Sequence, residues 1–131
     1  MKRLLPILCL ALSACLSAPE YVAQPTPEPL TEVMQRLVEG APPARPLGVT
    51  LVVAEIPPEE NALGLAWDEG NDQWMIVIEA RMCELSQSLV LVHEWAHVLA
   101  GDAGTCAEGT DHGPLFGVCW AAAWRAYTGG D

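Results

Sequence analysis

The chain has 131 residues, 51% of them hydrophobic and 18% charged, which is the size of one ordinary domain with a real but small core. Six basic residues against 17 acidic ones give a formal charge of -11, so a nucleic-acid backbone is repelled and DNA or RNA is not an expected partner. Little length is left for a second domain.

The opening MKRLLPILCLALSACLSAPE combines two positive charges, a short apolar run and small residues, the pattern of an export signal rather than of a membrane-spanning helix. Within it Leu12-Ser13-Ala14-Cys15 resembles the lipobox of bacterial lipoproteins. That resemblance implies removal of residues 1–14 and a lipid anchor on Cys15, which ties the protein to the cell envelope. Leu16 in place of an Asp after the anchor points to the outer membrane, facing the periplasm. Ordinary secretion with cleavage near Ala18 is the alternative, but Leu16 fits its small-x-small requirement poorly. Loss of Lys2 and Arg3 leaves four basic residues, all Arg.

Residues 15–29 are rich in Pro and read as an extended tether, with the folded domain over 30–131. TEVMQRLVEG predicts a short amphipathic helix with Thr31 as N-cap, Val33, Met34, Leu37 and Val38 on one side, and Gly40 as its stop. LGVTLVVAEI is a β-branched run suited to a buried strand, ended by Pro57 and Pro58. ALGLAW and QWMIVIEA flank DEGND, which has the turn chemistry of a hairpin. After Cys83 the period changes, and QSLVLVHEWAHVLA predicts a buried helix with Ser86 as cap and Gly101 as a left-handed stop.

On that helix His93 and His97 are one turn apart and project from the same side, with Trp95 roughly opposite, towards the scaffold. Two imidazoles so placed can share one zinc ion, and Glu94 can reach a water on the metal without coordinating it. The chance of this His-Glu-x-x-His arrangement in a chain of this composition is about 0.6%, so coincidence is a weak competitor. Burying two imidazoles and a carboxylate is also costly unless something compensates them.

Catalytic zinc wants three protein ligands and an open position. The remaining histidine, His112, precedes Gly113 and Pro114, and Pro suits the first turn of a helix. Phe116, Cys119, Trp120, Ala123, Trp124 and Tyr127 then mark the inner stripe of a final amphipathic helix, with Arg125 towards solvent and Tyr127 better placed in the core than at the metal. Cys106, Glu108 and Asp111 compete as third ligand; His112 ranks first by the preferences of zinc, and Asp111 suits a role orienting an imidazole. Beyond Cys9 and Cys15 the cysteines are Cys83, Cys106 and Cys119, an odd number for an oxidising compartment, and both Cys106–Cys119 and Cys83–Cys106 are open as pairings.

His93-Glu94-x-x-His97, a Gly-rich gap, then His112-Gly113-x-x-Phe116 resembles the SprT-like group of zinc metallopeptidases. The resemblance covers roughly residues 47–127 and implies an α+β, zincin-like domain. Its parts would be a short antiparallel or mixed sheet of about three strands, a buried metal-binding helix and a C-terminal helix, after a short N-terminal helix. It further implies one zinc ion on His93, His97 and His112, Glu94 as general base, and a protein or peptide substrate paired in extended form on the hairpin's edge strand. Members acting on DNA–protein crosslinks are intracellular with added nucleic-acid-binding parts, and this exported acidic chain does not fit that substrate. A non-catalytic envelope lipoprotein holding a structural metal is the rival from another class, and an amidase acting on cell-wall peptide bonds shares the chemistry.

Overall fold

The computed structural model describes residues 21–102 and 112–130. Among these the chain forms three α-helices and a three-stranded mixed sheet, so the fold is α+β. Among them, too, no helix is long and apolar enough to cross a membrane.

Helix α1 (Glu28–Gly40) begins inside the stretch read as tether. Pro27 is its N-cap and Pro29 lies in the first turn, where a fixed φ and a missing N–H suit a helix start. Thr31 is therefore already helical, its hydroxyl donating to Pro27 O at 3.4 Å. Leu30, Val33 and Leu37 are buried, whereas Val38, expected on the same side, is 45% exposed. The helix ends at Gly40 as expected, with Ala41 as its C-cap; a Cβ on Gly40 would lie 2.8 Å from Ala126 Cβ, so the glycine also permits a close crossing with the last helix. Upstream, Gln24 N–H donates to Val53 O at 2.7 Å and the Tyr21 ring lies near Trp67, so residues 21–24 run over the sheet rather than away from it.

Strands β1 (Gly48–Ala54), β2 (Gly64–Gly70) and β3 (Gln73–Glu79) line up in the order β1-β3-β2, parallel between β1 and β3 and antiparallel between β2 and β3. The β2–β3 hairpin is the expected one, turning at Asn71 and Asp72, both with positive φ as a tight two-residue hairpin turn demands. β1 lies at an edge rather than in the middle, and Thr50 is exposed, because helices cover only one face of the sheet.

That covering layer is anchored by helix α2 (Glu84–Asp102) and helix α3 (Pro114–Thr128). Val53, Ile76 and Ile78 meet Leu91, Val92, Trp95 and Val98 of α2, Leu30, Val33 and Leu37 of α1, and Ala123 of α3. Trp95 is 1% exposed and its indole N–H donates to Ala41 O at 2.9 Å, pinning α2 to the end of α1. Removing such a ring costs about 3–5 kcal/mol. α2 starts two residues before Ser86 and continues through Gly101, where a Cβ would come within 2.5 Å of the Trp74 ring; the glycine serves close packing, not a stop. Leu85 and Leu89 leave the apolar helix partly in solvent, at 64% and 38% exposure.

On the other face of the sheet a small cluster joins Ala54, Ile56 and Val77 to Tyr21, Leu65 and Met75. Where β1 and β3 end, Glu79 is buried and accepts from Ile56 N–H at 2.6 Å, from the Arg81 guanidinium and from Arg81 N–H at 3.2 Å. Gln87 of α2 donates to Glu79 O at 3.1 Å, so Glu79 joins both strand ends to α2.

Candidate metal centre

His93 and His97 project from the middle of α2, one turn apart and half-buried, as the spacing requires. His112 stands just before α3, whose first turn carries Gly113 as N-cap and Pro114 behind it, and there the ring is exposed. α3 folds back over α2 because Phe116 and Cys119 are buried against Ala96 and Ala100, two small residues that let the helices approach. This packing carries His112 to the other two rings.

His93 Nε2 lies 3.2 Å from His97 Nε2 and 3.3 Å from His112 Nε2, and one nitrogen from each ring falls within 4.8 Å of the others. Nitrogens bound to one zinc at about 2.0–2.1 Å in a tetrahedron stand about 3.3–3.4 Å apart, so the spacing suits one small cation. A hydrogen-bonded trio is a poorer account. A neutral ring nitrogen carries either one proton or one lone pair, and His93 Nε2 faces two partners at once. Burial, and secondarily the neighbouring His112, hold His93 below its ordinary pKa, which favours the neutral ring that can act as a ligand. The donor set therefore fits a divalent metal.

The Phe116 ring closes the cluster from one side, 5.1 Å from His93, 4.6 Å from His97 and 4.5 Å from His112 between ring centres. Trp120 adds a second wall 5.9 Å from His93 and stacks on Trp124. Trp124, expected on the inner stripe, is 41% exposed, and Tyr127 packs at the far end of α3 beside it.

Glu94 is not among the groups that converge on the histidine nitrogens. Its carboxyl is buried, and desolvation pushes its pKa up to about 7. It lies against Gly64, the first residue of β2. Glu79 N–H donates to Leu63 O, and Gly64 stands opposite Ile78 in the register; because such pairs alternate, the N–H and C=O of Gly64 point to the outer edge of the sheet. Farther along that edge Asp68, Glu69 and an irregular register interrupt pairing, which leaves the Gly64 end as the regular part.

The four residues singled out by the motif are thus brought together: three imidazoles around one point, with Glu94 on the adjoining position of the same helix. Cys106, Glu108, Asp111, the Cys15 anchor and both cysteine pairings involving Cys106 fall outside the described residues. Cys83 is exposed with its thiol donating to Ser86 at 3.3 Å. Two contributors were missed from the sequence. Trp120 gave no signal beyond its place on an apolar stripe, while Gly64 was marked only by being a glycine inside a strand, which is where another group approaches the backbone.

A scan against protein-family models finds no match, and a search among curated proteins finds no significant relative.

Proposed function

We propose that the protein is a zinc metallopeptidase of the SprT-like, zincin-like kind, exported and held in the bacterial cell envelope through lipidated Cys15. The observation that carries the reading is the convergence of His93, His97 and His112 beside a buried carboxylate that does not join them.

The three imidazoles would hold the metal through Nε2, the nitrogens already turned inward. Zinc in such a site supplies Lewis acidity towards a carbonyl and acidifies water. Glu94 takes a proton from the attacking water and returns it to the departing amine nitrogen, so its carboxyl cycles between the two protonation states. Burial suits this, because it brings the carboxyl's affinity for protons close to that needed near neutral pH. An extended peptide pairs along the outer edge of β2, where Gly64 offers one N–H and one C=O. Phe116 and Trp120 keep bulk water from the far side of the histidines.

The test is zinc content and peptide hydrolysis of wild type against Glu94→Gln. The variant is expected to keep one zinc and lose turnover. Equal residual activity in both would end the enzymatic reading and leave a metal-binding envelope protein. Digestion of muropeptides against casein separates a cell-wall amidase from a general peptidase, and mass spectrometry of the mature N-terminus tests lipid on Cys15.

A further inference from the structure

Gly64 has no conformational reason to be a glycine: it lies within β2 and its φ is outside the left-handed region. A glycine inside a strand weakens it, so the position calls for another cause. A Cβ built there would lie 2.5 Å from Val90 Cγ1 and 2.9 Å from both Cγ and Oε1 of Glu94. Atoms do not approach so closely, and the strand cannot retreat freely because Leu63 and its successors pair with β3. Glu94 would have to give way. Among the described residues, the other glycines whose Cβ would come within 3.0 Å of a neighbour meet Ala126, Gln73 or Trp74, none of which belongs to the metal centre.

We infer that Gly64 is a positioning residue for Glu94: the missing side chain is the space in which the general base lies, between the metal-binding helix and the substrate-facing edge of β2. The inference rests on the reading of Glu94 proposed above. It also accounts for how one residue couples two tasks. The backbone that would pair with the substrate is the backbone that fixes the carboxylate, so the peptide bond and its base are set by the same atoms.

The experiment uses the full zinc-loaded chain as wild type, Gly64→Ala, Gly64→Ala with Val90→Ala, and Glu94→Gln. For each variant, zinc content, far-ultraviolet circular dichroism, kcat and KM on a peptide, and the affinity for acetohydroxamate are measured, the last because a chelating hydroxamate hydrogen-bonds to a well-placed carboxylate. Gly64→Ala is expected to keep its zinc and helix content, to lose about tenfold or more in kcat with KM little changed, and to bind hydroxamate about tenfold more weakly. Val90→Ala removes the nearest apolar collision but leaves the one with Glu94, so the double variant is expected to stay impaired. Recovery in the double variant, or failure of both Gly64 variants to fold, would assign the glycine to packing and overturn the inference. Hydroxamate affinity equal to wild type in Gly64→Ala overturns it whatever the turnover. Equal turnover in wild type and Glu94→Gln sinks the catalytic reading instead, and the hydroxamate comparison still decides the role of Gly64.

Discussion

Glu79 and Glu94 are almost equally hidden, at 5% and 6% exposure, yet the protein surrounds them in opposite ways. Glu79 is met by the Arg81 guanidinium and the N–H groups of Ile56 and Arg81, with the Arg81 hydrogen bond first among the causes that hold its carboxyl below the ordinary glutamate value. For Glu94 desolvation by burial is the cause that acts, and its carboxyl is pushed up to about 7. Burial alone therefore does not mark a functional carboxylate; the partner set does. Glu79 is a clasp at the ends of β1 and β3, while Glu94 is buried on the helix that carries His93 and His97.

The largest expected effect breaks the comparison at Glu94. Glu94→Gln should cut kcat/KM by about 10²–10⁴-fold, the worth of a positioned general base, while the zinc-free protein unfolds at an unchanged or higher temperature. Loss of stability on that substitution would make Glu94 a second Glu79. Next comes the metal. Zinc at a hundred times its Kd should stabilise the fold by about 2.7 kcal/mol, a gain read in thermal unfolding that a chelator removes and that His112→Ala, which leaves two imidazoles, should reduce at the same zinc concentration.

At the clasp, Glu79→Gln should cost about 1.5–3 kcal/mol in denaturant unfolding and leave turnover per folded molecule unchanged. Because the folded Glu79 is depressed below its ordinary value of 4.5, its contribution is present above that pH and fades as pH falls through the lower folded value. The gap between wild type and variant should thus close in acid; a gap that widened there would reverse the assignment. The smallest effect lies farther off. Gly101→Ala gains helix propensity but presses on Trp74, and overpacking of about 1–3 kcal/mol should outweigh the roughly 1 kcal/mol gained.

Much of this arrangement is legible in the residues. The hairpin follows from apolar runs on either side of Asn71-Asp72, and α2 with its paired histidines from a period that changes after Cys83. Pro114 marks the start of α3 and so places His112 just ahead of it. Helix ends read less evenly: Gly40 marks the end of α1, whereas Gly101 looks like a stop but lies inside α2 as a spacer against Trp74, a distinction that depends on tertiary neighbours. The strand order was also hidden, because a β-branched run such as β1 reads alike at an edge or in the middle of a sheet. For the same reason the contact between Gly64 and Glu94, thirty positions apart, has no local signature.

X-ray absorption at the zinc edge of the zinc-loaded protein probes the three-histidine centre most directly. The expected result is one zinc per chain with three imidazole nitrogens at about 2.0–2.1 Å and one further light-atom ligand from solvent, the imidazole signal falling by a third in His112→Ala. A zinc that washes out on dialysis, or one closed by a fourth protein ligand such as a thiolate, would contradict it.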